Sequence, residues 1–287
     1  MVQANDFHAR AEAVADEIAT TGPALVGLQE AYLWRVQDPG DLLIGGTAPA
    51  TTVAYDYVAD LLAALARRGL TYRVAAQVEL MDFEAPVATG QDVRLTDCGV
   101  ILARADVKTT RAAGQVFQTL LPVPVMGQTL PIKRGWVAVD AKVHGDALRF
   151  VSTHTEAYHP GVRTAQAVEL AGALAGEERP VVLVGDSNSD PGTEAEAVLA
   201  AAGFTDVWAT VRPAQAGLTC CWAEDLRVDS PPAPPLSQRI DYVLVRGAVR
   251  PLWAEVLGNA SDDCVGGLWP SDHAGLVGWV GLRQWAR

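Results

Sequence analysis

The chain has 287 residues, 49% hydrophobic and 20% charged, which suffices for one large domain with a substantial core. Its net charge of −12 argues against generic affinity for the phosphate backbone of nucleic acid. No apolar run reaches membrane-spanning length, and none of the four cysteines forms a CxxC pair of the kind structural zinc requires.

The amino terminus lacks a signal-peptide pattern and moves at once into an amphipathic helix. Ala11, Val14, Ala15 and Ile18 share one face, Asn5 or Asp6 can cap it, and Gly22 can end it. "ALVGLQE" (24–30) reads as a short buried strand closing on a carboxylate. A helix is expected at 52–68, with Ala54, Val58, Leu61, Leu62 and Leu65 on one face and Gly69 as its stop. "TYRVAAQVEL", "CGVILARADV", "GWVAVDAKV" and "LRFVSTH" read as strands, with Gly145 and Asp146 turning between the last two. A helix at 162–176 carries Ala167, Leu170, Ala171 and Leu174. "PVVLVGD" is a strand and "TEAEAVLAAAG" a short helix. The prolines of "DSPPAPPLSQ" (229–238) cannot feed a sheet ladder, so that stretch is a loop. "RIDYVLV" and "HAGLVGWVGL" are the last two clear strands. No internal repeat or linker divides the chain, so residues 1–287 read as one domain. Strands outnumber helices, which predicts an α/β layering of sheet on sheet with mixed, mostly antiparallel strands and helices outside.

Polar residues collect at the strand ends. Glu30 closes "VGLQE", His154 closes "RFVSTH", and Asp186 and Asn188 close "VVLVGDSN". Asp241 sits in "RIDYVLV", and Asp272 and His273 open the final strand. A carboxylate in an apolar run is costly unless it is paired or binds metal. If these ends converge, they line a cleft with acids, two histidines and an amide. Hard oxygen ligands suit Mg²⁺ or Mn²⁺ rather than structural zinc. Asp186 and Asn188, two apart, would point to one side of an extended chain and could orient one water. Asp241 could hold His273 in one tautomer. The sum points to metal-assisted attack on a phosphoester.

Cysteine usage is compatible with one or two disulfides and equally with buried free thiols. The adjacent Cys220 and Cys221 are not expected to bond to each other. Arg239 reads as an ion-pair partner, next to Asp241. His159 reads as a surface loop residue, and Trp222 and Trp269 read as loop packing.

The segments "GLQE", "STHTEAY", "GDSNSDP", "RIDYVLV" and "SDHAGL", in this order, resemble the endonuclease/exonuclease/phosphatase (DNase I-like) superfamily over residues 24–280. "RLTDCGVILAR", "RGWVAVD", "TCCWAEDL" and "GLWPSDHAG" are similar to a bacterial group of uncharacterised hydrolases within it. The resemblance implies a four-layered α/β sandwich with two central sheets. It makes Glu30 the principal Mg²⁺ ligand, with Asp272 near the metal. Asp186 would position or deprotonate water with the support of Asn188. His154 and His273 would contact the phosphate, and Asp241 would orient His273. Arg163 and Gln166 are expected to be structural. The family's first strand, with its asparagine, should precede the first helix, so it is expected to be missing here and activity to be weakened. Ser187 and Thr155 stand where the family has an aromatic residue and a leucine, which should affect packing beneath the site.

Three functions compete. The first is a monomeric Mg²⁺-dependent phosphodiesterase or phosphatase on a small molecule or lipid headgroup. The second is a nuclease, disfavoured because the 22 lysines and arginines form no basic run. The third is a catalytically weak binding domain. An export signal upstream of Met1 would make the protein secreted; otherwise a cytoplasmic location is expected.

Overall fold

Two sheets packed face to face form the centre of the structure, a computed structural model that describes residues 6–125, 128–229 and 236–282. In chain order the elements are α1 (Phe7–Thr21), β1 (Leu25–Leu28), β2 (Leu33–Gln37), β3 (Thr52–Asp56), α2 (Tyr57–Arg67), β4 (Tyr72–Pro86) and β5 (Asp92–Arg104). There follow β6 (Lys108–Val116), β7 (Leu121–Val125), β8 (Gln128–Ile132), β9 (Gly135–Val143), β10 (Asp146–His154), α3 (Pro160–Leu174) and β11 (Val181–Asp186). The chain continues through α4 (Glu194–Ala201), β12 (Thr205–Asp206), α5 (Val207–Val211), β13 (Asp241–Arg246), β14 (Val249–Leu257) and β15 (Gly275–Leu282).

The first sheet centres on β5, which pairs with β4 along one edge and with β1 and β2 on the other, β3 lying beyond β2. The second runs β12-β13-β11-β10-β9-β6, and only β10 and β11 pair in parallel. Pleating sends alternate side chains to opposite faces and so builds the layers. On β5, Val100 and Leu102 face outward to Ala15 and Ile18 of α1 and Leu61 and Leu65 of α2. Their neighbours Ile101 and Ala103 face inward, onto Val137, Val139, Phe150, Val182 and Val243 of the second sheet. On the far side Ala138, Val151 and Leu183 meet Leu170 of α3 and Leu199 of α4. The result is the expected sandwich of helices, sheet, sheet, helices. Leu170 is fully buried in the outer layer. Leu170→Ala is expected to cost about 2–5 kcal/mol in chemical denaturation, against under about 1.5 kcal/mol for Leu170→Met, which keeps the volume.

Several sequence expectations change. The helix expected at 52–68 is a strand and then a helix, because Asp56 caps α2 by accepting from Ala59 N, and β-branched Thr52 and Val53 pair with β2. Ala54 is therefore a strand residue. Pro160 starts α3 two residues early, with exposed His159 as its N-cap. Strands β2, β6 and β14 lie where none was read. Asp6 caps α1, whereas Asn5 and positions 230–235 of the proline-rich loop lie outside the described residues. Cys220 and Cys221, against expectation, are paired as a disulfide. Arg239 forms the ion pair expected of it, with Asp206. Gln166, fully buried, links Glu156 N to Thr119 O as a structural residue should.

Candidate functional site

Register sets the site. His154 at the end of β10 is level with Asp186 at the end of β11, and Asp186 is level with Asp241 at the start of β13. Two glycines make the convergence feasible. Gly185 lies at φ 136°, and a Cβ there would meet Thr153 O at 2.0 Å, so the bend before Asp186 demands glycine. Gly27 lets β1 approach the second sheet, since a Cβ there would meet Val184 and Ser152 at 2.6 and 2.7 Å. Gln29 then donates to Ser152 Oγ at 2.8 Å, and Glu30 follows at the strand's end.

Asp186 and Asn188 meet differently from the extended-chain expectation. The strand stops at Asp186, and Asn188 turns into the left-handed region at φ 47°. Its backbone N–H donates to Asp186 Oδ1 at 2.7 Å and its Nδ2 to Oδ2 at 3.0 Å. Thr155 and Ser187 do more than pack beneath this turn. Thr155 Oγ1 donates to Ser187 O at 2.6 Å, its carbonyl accepts from Asn188 Nδ2 at 3.0 Å, and Ser187 Oγ donates to Ile240 O at 3.0 Å. These bonds tie three strand ends together around Asp186. Burial, and after it the charge of Asp241, pushes the Asp186 carboxyl up to about 8.

Two imidazoles flank this carboxyl in opposite states. His154 is buried, and its Nδ1 accepts from Arg134 Nη1 at 3.1 Å, which leaves the proton on Nε2, 3.4 Å from Asp186 Oδ2. Burial, then Arg134, then His273 hold its pKa well below the usual value, so it is neutral. Burial lowers His273 as well, but the hydrogen bond from Nδ1 to Asp241 Oδ2 at 2.8 Å and the surrounding acids outweigh it and raise it to about 10. Asp272 has an exposed side chain that accepts from Ser271 Oγ, and its backbone carbonyl accepts from Trp222 N.

Two residues escaped the sequence reading. Arg134 Nη1 lies 3.7 Å from both Glu30 Oε1 and Asp97 Oδ2, so one half-buried guanidinium joins Glu30, Asp97 and His154. Asp97 is buried in the middle of β5 and its Oδ1 has no hydrogen-bond partner among the described residues. Burial and then Glu30 push it up to about 6, against the pull of Arg134. The acid inside the apolar run "TDCGVILA" was the available signal. An orphaned buried carboxylate oxygen beside Glu30 is a hard-oxygen donor set, the kind that suits Mg²⁺ or Mn²⁺. Trp222 and Trp269, read singly as packing, stack on each other with ring centroids 3.8 Å apart beside the Asp272–His273 segment.

The sequence matches the model of the endonuclease/exonuclease/phosphatase family over residues 2–273, and the chain belongs to that family. Its members are hydrolases acting on phosphoester bonds. No curated protein matches the chain significantly. Among solved structures, a family protein from Bacteroides vulgatus is similar at 18% identity and TM-score 0.62, covering 96% of this chain and 91% of that one. A mannosyl-6-phosphatase from Bacteroides thetaiotaomicron is similar at 15% identity and TM-score 0.62, covering 98% and 94%. D. rerio TDP2, complexed with a single-strand DNA product, is similar at 19% identity and TM-score 0.57, covering 95% and 92%. At these identities the likeness is one of fold. Among the described residues, no helix is long and apolar enough to cross a membrane.

Proposed function

We propose that this chain is a Mg²⁺- or Mn²⁺-dependent hydrolase of a small-molecule or lipid-headgroup phosphate ester. One observation carries the reading: a buried carboxyl, Asp186, set between a neutral His154 and a protonated His273. Glu30 and Asp97 would hold the ion, with Asp272 at the mouth. When bound, it would neutralise phosphate charge and favour the ionised forms of the nearby acids. Asp186 then takes the proton of the attacking water, its two oxygens fixed by Asn188. His154 Nε2–H and His273 Nε2–H donate to the phosphate oxygens as charge develops. Asp241 fixes the tautomer and orientation of His273.

The test uses chromogenic phosphate monoesters and diesters, with Mg²⁺ or with EDTA. Turnover is expected with Mg²⁺, is expected to vanish in EDTA, and should return on adding Mn²⁺. Mg²⁺ at about 100 times its dissociation constant should stabilise the fold by about 2.7 kcal/mol in thermal denaturation. Unchanged rates in EDTA would sink the metal dependence. The DNA-bound neighbour motivates a nuclease arm, nicking of supercoiled plasmid. The net charge of −12 weighs against it, and no nicking is expected.

A further inference from the structure

The mechanism leaves two reactive side chains unused at the rim of the same site, Cys220 and Cys221, both close to His273. Cys220 is fully buried and forms an antiparallel bridge with His273. Backbone bonds from Trp222 N to Asp272 O at 2.8 Å and from Ala274 N to Thr219 O at 2.7 Å lock the two segments side by side. Gln238 N donates to the carbonyl of Cys220 from a third segment at 2.9 Å. On this fixed frame, Cys221 Sγ lies 3.8 Å from His273 Nε2. Both sulfurs and an imidazole nitrogen lie within 4.8 Å of one another. The carboxylates of Asp241 and Asp272 place negative charge beside His273.

We propose that, once reduced, Cys220, Cys221 and His273 bind one thiophilic divalent cation of the Zn²⁺ or Cd²⁺ class, and that this ion switches the hydrolase off. The chemistry differs from that of Glu30 and Asp97. Soft thiolates with one imidazole select zinc-like ions, whereas carboxylates alone select Mg²⁺. In the oxidised chain the two sulfurs are joined and offer no thiolate. A dithiol or phosphine reductant supplies two electrons, and with two protons the disulfide becomes two thiols. Binding of one cation then releases both thiol protons and the Nε2 proton of His273, three in all. Two sulfurs and one nitrogen leave a fourth coordination position open. The blocking effect rests on the proposed role of His273 at the phosphate, because the ion occupies the nitrogen that would donate to it. The binding itself does not depend on that role.

The experiment titrates Cd²⁺ into the whole chain under anaerobic conditions and follows the ultraviolet sulfur-to-cadmium charge-transfer band. In phosphine-reduced protein the band is expected to saturate at one Cd²⁺ per chain. The oxidised protein should give none. Cys221→Ser, at a half-buried position, should weaken binding at least about tenfold, while a Cys98→Ser, Cys264→Ser double variant should bind as the unaltered chain does. Circular dichroism confirms that each variant folds. An unaltered band in Cys221→Ser, or no band in reduced protein, overturns the site. Zn²⁺ should slow Mg²⁺-supported ester hydrolysis in the reduced chain and leave Cys221→Ser unaffected; equal inhibition of both overturns the switch. A chain that gives the cadmium band but hydrolyses no ester keeps the site and refutes the hydrolase reading instead.

Discussion

Asp186→Asn is expected to slow ester hydrolysis roughly 100- to 10,000-fold, the range a positioned general base contributes, and yet to melt at a higher temperature than the unaltered chain at pH 8. Both effects come from one placement. Asp186 is buried, and burial together with Asp241 raises its carboxyl to about 8, from about 3.9 in an unfolded chain. Between those two values the native state binds a proton that the unfolded state does not. Stability from this group is therefore complete below about pH 4 and is lost as pH rises through about 8. His273 acts in the same direction. Its folded value near 10 lies above the unfolded 6.5, so its contribution is complete below about 6.5 and is lost as pH rises through about 10. In EDTA the unaltered protein should thus melt progressively lower from pH 6 to pH 9. Asparagine cannot ionise, so the variant should show a shallower slope up to pH 8. The amide can keep only one of the two Asn188 contacts. The gain at pH 8 is accordingly about 1–3 kcal/mol, or roughly 2–10 °C for a domain of this size. Mg²⁺ should narrow the gap by stabilising the ionised carboxylate of the unaltered chain. Scanning fluorimetry across the pH series reads all of this. A variant that melts lower at pH 8 would mean that the ionised carboxylate holds the fold together, and the base assignment would lose its physical basis.

That trade of stability for a reactive group explains which parts of the molecule could be read from its sequence. The strands that carry the site, β10, β11 and β13, are continuous apolar runs because both of their faces are covered. Polar residues break these runs at one end, and another precedes β15, so His154, Asp186, Asn188, Asp241 and His273 stood out. The missed strands lack that contrast. β6 is an exposed edge rich in polar residues, and β14 carries Pro251 in a two-stranded ribbon. The stretch 52–56 fits helical spacing and strand composition alike, and only the cap at Asp56 decides between them. Arg134 and Asp97 failed for another reason. Their meaning lies in a contact between the two sheets, and no local pattern records which strands will face each other. The turn at Asn188 was missed because, besides its bonds to Asp186, it is held by the carbonyl of Thr155 after β10 and, through Ser187, by that of Ile240 before β13, both far away in sequence.

Arg134 supplies the second large effect. Arg134→Met is expected to cost about 3 kcal/mol of stability in EDTA, roughly 6–12 °C, and to lower turnover at least about tenfold. The guanidinium is the cation facing both Glu30 and Asp97. Without it Asp97, buried with one oxygen already unpartnered, faces another carboxylate with nothing to offset the charge. Breaking a buried pair leaves an uncompensated charge, which typically costs about 3–5 kcal/mol; the lower end applies because Glu30 is 42% exposed. The same substitution removes the donor at His154 Nδ1. The imidazole is then free to carry its proton on Nδ1 and to turn a bare Nε2 toward Asp186, the wrong tautomer for donating to a phosphate. Arg134→Lys separates the two losses. It keeps a positive charge for the carboxylates but lacks the planar fork that reaches them and His154 together, so it should recover more stability than turnover. Mg²⁺ makes the sharper comparison. An ion held by Glu30 and Asp97 supplies the charge that the guanidinium otherwise supplies, so it should raise the melting temperature of Arg134→Met more than that of the unaltered chain. Equal melting temperatures in EDTA, with equal responses to Mg²⁺, would show that Arg134 neither balances these carboxylates nor stands beside the metal site.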